Sequence, residues 1–498
     1  MSNDKPIFVA GASGYIGGRL VPRLLETGYR VRALARNPDK LAQRPWGKHP
    51  RLDIVKGDVL SLESLTQAVA PCRAAYYLVH SMVPGVDDFA AADRMAATHM
   101  ATAAAAANLE QIIYLSGLGE EAPGLSHHLQ SRSEVGTCLR RGKTPVTILR
   151  AAMIIGSGSA SFEILRYLVE HLPVMITPRW LNTPCQPIAV RNVLYYLMGC
   201  LEQPETIGQT FDIGQPNITN YRELMDIYAE EAGLPKRLII PVPILTPRLS
   251  SYWIHLVTPV PAAIARPLAE GLKNPVICTD NRITSILPQE LLDARRAIRL
   301  AIDRIQQHQV ETTWTDSGSI RPAEWSFPGD PNWAGGNVLE DSRQIRIAAT
   351  PQELWPAVTS LGGDSGYYYA DWLWRLRGLL DRLGGGVGLR RGRRNPTQLY
   401  PGDALDFWRV VQIKEGDYLL LSAEMKVPGE AVLSFTLTDG GDGSTQLRQT
   451  ARFLPRGLTG LLYWYAVAPF HFFVFNGMLR GIARKSQHRI LEGPTRIR

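Results

Sequence analysis

The sequence predicts an α/β chain: a doubly wound parallel sheet with a small substrate lobe, followed by a separate, smaller α+β domain. Three observations carry this expectation. Short apolar runs alternate with helical stretches through the first third of the chain. A Gly-rich turn joins the first run to the first helix. The composition then changes, with eight of the eleven tryptophans lying from residue 314 onward. At 498 residues the chain exceeds one ordinary core, so two or three domains are expected. With 45% apolar and 20% charged residues it is neither disordered nor fibrous.

Residues 6–10 read as a buried strand that leads into Gly11-Ala12-Ser13-Gly14-Tyr15-Ile16-Gly17. A helix follows, apolar at Ile16, Leu20, Val21, Leu24 and Leu25, with Gly28 closing it, and residues 30–36 form a second strand. In this setting Gly11 permits a tight turn and Gly14 lets the backbone approach a pyrophosphate. Gly17 lets the helix sit close on the strand, and the helix N-terminus presents N–H groups and a positive dipole end to phosphate. Further strands are expected at 52–55, 74–80, 111–116 and 146–150, with a helix over 87–108. Alternating elements of this length imply a parallel sheet with helices on both faces.

The G-x-x-G-x-x-G spacing, in its GASGYIG form, resembles the short-chain dehydrogenase/reductase superfamily, in particular its extended, atypical and NmrA-like members with a Rossmann-type NAD(P)-binding fold. The resemblance implies a dinucleotide cradle built from Gly11, Ser13, Gly14, Tyr15, Ile16 and Gly17. Arg36 stands where an acidic residue would bind the ribose 2′-hydroxyl; a cation suits a 2′-phosphate, so NADP is expected, with NAD as the alternative. Asp58 and Val59 fall where the superfamily contacts adenine. Val79 and His80 end the fourth strand at the cofactor-facing edge, and Ala151 would line the nicotinamide side.

Active members of the superfamily carry a Ser near the end of strand five and a Tyr-x-x-x-Lys on the next helix. Ser116 keeps the first feature, whereas His128 and Arg132 occupy the Tyr and Lys positions. Arg132 is a fixed cation suited to ribose hydroxyls but not to titration. His128 can donate a proton near neutral pH, and Tyr114 is a further candidate donor. The alternative is that His127 and His128 are ordinary polar loop residues and the proton relay is absent.

Residues 151–300 continue the extended-superfamily layout. Gln186–Val193 resembles a segment that closes the substrate cleft in NmrA-like relatives, with Asn192 replacing their usual acid, and Thr210–Gly214 is a second matching feature. Asn220 and Glu223 have capping-box spacing ahead of a helix that stops at Gly233. The apolar, proline-rich stretch 238–275 reads either as pocket lining or as a packed lid. The expected domains are 1–309, a linker over 310–341 containing Trp314, Trp325 and Trp333, and 342–498.

The last domain reads as a strand at 343–348, a helix from the Thr350/Glu353 capping box through Val358, an aromatic and basic stretch at 371–383, and a glycine–arginine loop at 384–394. Four strands at 405–413, 418–427, 431–437 and 445–453 precede a long helical segment over 457–489. This order resembles the START/polyketide-cyclase, or helix-grip, superfamily. The resemblance implies an apolar ligand held between a curved sheet and the last helix.

The net charge of +8 is uneven, with no acidic residue between Asp442 and Glu492. No nucleic-acid-binding signature accompanies it, so no nucleic-acid partner is expected. Residues 457–479 carry no Lys, Arg, Asp or Glu, which leaves a buried ligand-gripping helix, attachment to an anionic membrane surface, or a span. Five cysteines without CxxC spacing argue against a disulfide framework and against a metal site. The N-terminus reads as free of a secretory leader, so a cytoplasmic location is expected. The function expected is an NADP-dependent reductase acting on a bulky apolar compound such as a lipid, quinone or polyketide-like molecule. The alternative is a non-catalytic NADP(H) sensor or lipid-binding protein.

Overall fold

The computed structural model describes residues 5–79, 89–119, 127–242, 254, 270–272, 274–307, 310–312, 338–389, 392–455 and 457–497. The chain divides into two compact units, Met1–Gly318 and Ser319–Arg498. The first is built on β1 (Ile7–Ala10), α1 (Gly17–Glu26), β2 (Val31–Ala35), β3 (Leu52–Lys56), α2 (Leu62–Val69), β4 (Ala74–Tyr77), α3 (Phe89–Ala106), β5 (Gln111–Gly117), α4 (His127–Arg140) and β6 (Val146–Ala151). The chain continues through α5 (Ala160–His171), α6 (Val190–Glu202), β7 (Thr210–Ile213), α7 (Tyr221–Glu231) and α8 (Ala294–Gln306).

The seven strands form one parallel sheet in the order β7-β6-β5-β4-β1-β2-β3. Period-two alternation feeds both faces. Ile7 and Val9 pack with α1 and α6, while Phe8 and Ala10 pack with α2, α3 and α4. Helix α1 buries Leu20, Val21, Leu24 and Leu25, the positions expected from the helical period, and stops where Gly28 takes φ +92. A smaller lobe packs α5, α7 and α8 around their own core.

Two details of the lobe differ from expectation. Asn220 caps α7 by accepting the Glu223 N–H, but the Glu223 carboxylate takes the Thr219 hydroxyl instead of completing a reciprocal box. Asn192 is a staple: it is buried on α6, donates to Gln289 Oε1 and the Glu290 carbonyl, and accepts from the Leu292 N–H. Most of 238–275, and Trp314, Trp325 and Trp333, lie outside the described residues.

The expected linker is shorter at both ends. Glu311 pairs with Arg23, and Thr312 bridges Arg19 Nε and the Tyr15 carbonyl, so these residues belong to the first unit. At the other end, Leu339 to Asp341 already form part of β8 (Leu339–Ile347).

The second unit continues with α9 (Pro351–Thr359), α10 (Asp371–Leu383), β9 (Trp408–Lys414), β10 (Tyr418–Ala423), β11 (Gly429–Asp439), β12 (Thr445–Pro455), α11 (Gly457–Lys485) and β13 (Ile490–Ile497). Its sheet is antiparallel throughout, ordered from the short edge pair Ala404–Leu405 through β9-β10-β11-β12-β8-β13. The Thr350/Glu353 box is fully formed. The expected helix to residue 489 is corrected: it ends at Lys485, and the chain turns back to add β13 beside β8. Glycine and proline at 493 and 494 hide this strand from a period-two reading, and an edge position tolerates them because one side of the strand has no partner.

Candidate active site

In a parallel sheet with this order, consecutive connections leave β1 and β4 in opposite directions, which opens a crevice at their carboxyl ends. The glycine turn sits there. Gly11 adopts φ +88, and a Cβ on it would lie 2.5 Å from the Leu78 carbonyl oxygen just beyond β4. A Cβ on Gly17 would lie 2.2 Å from the Gly11 carbonyl oxygen, so only glycine lets α1 begin this close to the turn. At Gly14 an added Cβ meets only the Gly11 oxygen, at 3.3 Å, and otherwise faces open space. A cradle with one open side at the start of a helix, where the positive end of the helix dipole points, fits a pyrophosphate.

The other predicted residues fall along the same carboxyl edge. Asp58 follows β3, Arg36 follows β2, Val79 follows β4, Ser116 lies near the end of β5, and Ala151 ends β6. Five strand spacings separate β3 from β6, roughly 24 Å. Arg36 is exposed, immediately after Ala35 of β2. Asp58 forms a local turn in which its carboxylate accepts the Leu60 N–H, and its own N–H donates to Ser64 Oγ. Ser13 and Ile16 are half-buried on the turn. Val59 and Val79 pack against the α2–α4 core. His80 lies outside the described residues.

Tyr15 contributes backbone only. Its hydroxyl is buried next to Gly156, its ring lies 4.8 Å from the Arg19 guanidinium, and burial pushes its pKa up to about 12. Neither Arg19 nor Thr312, which hold the turn from behind, was legible beforehand, because the contact joins residues some 293 positions apart.

The proton-donor candidates separate. Tyr114 is removed as a donor: its ring is buried in the α3–α4 core and its hydroxyl donates to the Arg132 carbonyl at 3.2 Å. It faces that core because alternation along β5 sends it there. Ser116 is buried on the same face. His128 and Arg132 occupy one face of the first turns of α4, four residues apart. Arg132 is half-buried, and the His128 side chain lies outside the described residues. Among the described residues no group of three His, Cys, Asp or Glu side chains is placed to hold a metal ion.

In the second unit a cavity of about 440 Å³ lies between the sheet, α10 and α11. Its wall is mainly aromatic and aliphatic, with Trp374, Trp408, Met425, Phe453, Trp464 and Phe475 among the lining residues. His471 is the wall's link to a buried polar cluster. Its ring stacks on Phe475 at 4.4 Å, and its Nδ1 lies 3.6 Å from Asp341 Oδ2. Arg343 donates to the same Asp341 oxygen at 3.1 Å and to Asn476 Oδ1.

These features define a class: the first unit has a Rossmann-like parallel sheet with a glycine turn in its crevice, the architecture of an NAD(P)H-binding domain. A family model described as NAD(P)H-binding matches residues 11–165, and one described as a protein of unknown function, DUF2867, matches residues 333–478. The chain is 30% identical over 117 residues to cinnamoyl-CoA reductase 1 of Petunia hybrida, covering 23% of this chain and 35% of the relative. It is 37% identical over 86 residues to dihydroflavonol 4-reductase of Hordeum vulgare, covering 16% of this chain and 24% of the relative. The matches thus span about a third or less of these relatives' length. Among solved structures it is similar to the NADP(H) complex of Citrobacter sp. triphenylmethane reductase, with 19% identity, a TM-score of 0.49, and coverage of 59% of this chain and 99% of that one.

Two expectations follow from this geometry. Gly14→Ala should leave the fold intact if the single backbone oxygen its methyl meets, that of Gly11, yields slightly, as an unchanged thermal unfolding would show, and should weaken NADPH binding at least about tenfold in calorimetric titration by filling the cradle. At Asp341, burial opposes ionisation, but the facing His471 ring and the Arg343 guanidinium overcome it and hold the carboxyl below its usual range. Its contribution is therefore full above the unfolded value near ~3.9 and is lost as pH falls through the lower native value. Asp341→Asn should destabilise the second unit by about 3 kcal/mol at neutral pH, by leaving buried Arg343 without its counter-charge, and should flatten the acid limb of a urea-denaturation profile.

Proposed function

We propose that this chain is an NADP-dependent reductase acting on a bulky apolar compound such as a lipid, quinone or polyketide-like molecule. The observation that carries the reading is the exposed Arg36 guanidinium on the same sheet edge as an open glycine cradle. The α1 amides bind the pyrophosphate, and Arg36 pairs with the 2′-phosphate. Arg132 holds ribose hydroxyls as a permanent cation. Bound on this edge, NADPH supplies a hydride. The chain's part is then to orient the acceptor and deliver a proton to its oxygen, for which His128 and Ser116 are the candidates.

In this reading the second unit is START-like and holds the apolar compound between its sheet and α11. The aromatic wall of the cavity supports that role. The protein acts on the cytoplasmic side, in peripheral contact with an anionic membrane surface.

A second reading, a non-catalytic NADP(H) sensor or lipid-binding protein, is favoured by one observation. The Tyr-x-x-x-Lys pair is replaced by His128 and Arg132, and the neighbouring Tyr114 hydroxyl is already engaged.

NADPH consumption in the presence of a panel of enone, quinone and carbonyl lipids separates the two. The reductase reading expects turnover with at least one class, and a fall of about 100-fold in kcat for His128→Ala with NADPH affinity unchanged. Tight NADPH binding with no turnover across the panel would leave the sensor reading. Arg36→Glu should lower NADPH affinity by at least about tenfold while changing NADH affinity little, which titration of both coenzymes would measure.

A further inference from the structure

We propose that the second unit docks on an anionic lipid bilayer through the outer faces of α10 and α11, and that its cavity opens onto that contact. Over residues 457–479 helix α11 carries no Lys, Arg, Asp or Glu on any face. Its C-terminal half packs Val474, Phe475, Met478, Leu479 and Ile482 into the core. Its first half sends Tyr463, Trp464, Val467 and His471 to the cavity wall. On the opposite side Leu462, Tyr465, Phe472 and Phe473 are exposed, Leu462 by 63% and Phe473 by 61%, and Phe470 is exposed at the border between the two sides. At helical spacing, 462, 465, 466, 469, 470 and 473 make one stripe, roughly 16 Å long.

A second stripe lies on α10. Trp372, Leu376, Leu379, Leu380 and Leu383 recur at that same spacing, and all are exposed, Trp372 by 66% and Leu383 by 69%. Leu376 and Leu380 from α10 and Phe470 from α11 are exposed and also line the cavity, so the two stripes meet at its mouth. A soluble surface rarely carries two adjoining stripes of this size, and such a patch marks an apolar partner.

Charge selects that partner. On the helical wheel Arg375 and Arg382 flank one side of the α10 stripe, and Arg377 and Lys426 line the cavity, with Arg452 beside them paired to Glu340. The one acidic residue in that lining, Asp381, is buried and accepts the N–H groups of Gly388 and Lys426. Apolar stripes bordered by cations are the pattern of a surface that inserts shallowly beneath anionic headgroups. The commitment of residues 474–483 to the core keeps α11 on the membrane rather than across it. The inference deepens the reductase reading by naming the source of the apolar compound, and it can fail separately from hydride transfer.

The test is flotation of the full-length protein with vesicles of phosphatidylcholine containing about a quarter phosphatidylglycerol, compared with phosphatidylcholine alone. Wild type should float with the anionic vesicles, about tenfold more weakly with neutral ones, and lose binding as salt rises from roughly 0.05 to 0.5 M. The exposed double substitutions Leu462→Ser/Phe473→Ser and Trp372→Ser/Leu383→Ser should each lower binding at least about tenfold, with the tryptophan-detected urea unfolding of the second unit unchanged as proof of folding. The proposal is overturned if wild type does not float, or if both variants float as well as wild type. It also fails if sedimentation shows a dimer that these substitutions dissociate, which would make the face a contact between two copies. NADPH turnover with detergent-dispersed lipids reads the other question: turnover without flotation sinks only the docking, and flotation without turnover sinks only the reductase.

Discussion

The turn between β1 and α1 must pass two backbones at contact distance, the carbonyl beyond β4 on one side and its own first residue on the other. With Cβ positions at 2.5 Å from Leu78 and 2.2 Å from Gly11, side chains at residues 11 and 17 would force α1 away from the sheet edge. That separation would misplace the helix N-terminus, and with it the amides and dipole that make the edge attractive to phosphate. Arg19, Thr312 and Glu311 brace the far side of α1, tying the last described residues of the first unit to its first turn. The binding edge is thus stiff where the pyrophosphate would lie and open only at Gly14.

The second unit solves a different problem. Its longest helix has no charged side chain over 457–479, and a sheet covers only part of such a helix. The C-terminal half is consumed by core packing, while the N-terminal half divides between a cavity and an outer face. Holding charge inside such a unit requires mutual satisfaction. Asp341, Arg343, His471 and Asn476 cluster behind the cavity wall, and Arg496 of β13 approaches within 3.8 Å of Asp341. The strand added after the helix therefore brings a second guanidinium to this buried carboxylate.

Local chemistry made much of this legible. The GASGYIG turn, the φ +92 glycine after α1, the Thr350/Glu353 box and the places of the first six strands along the chain all follow from spacings of a few residues. What escaped depends on distant contacts. Asn192 looked like a degraded acidic position, and only its bonds to residues nearly a hundred positions away make it a staple. Tyr114 looked like a donor until strand alternation and α4 placed its hydroxyl against the Arg132 carbonyl. Strand β13, with its glycine and proline, exists because β8 offers it an edge.

Residue spacing alone was enough to specify an α/β first half with a phosphate-binding turn and a cation after the second strand, because each is a matter of backbone sterics or charge within one strand–helix unit. Folding in three dimensions settled which groups face one another: the line of strand ends from Asp58 to Ala151, the burial of Tyr15 and Tyr114, the cavity, and the two apolar stripes at its mouth. The physical reason is that an apolar side chain has the same sequence signature whether it faces a core, a cavity or the outside. Only packing decides which of those surfaces is left uncovered.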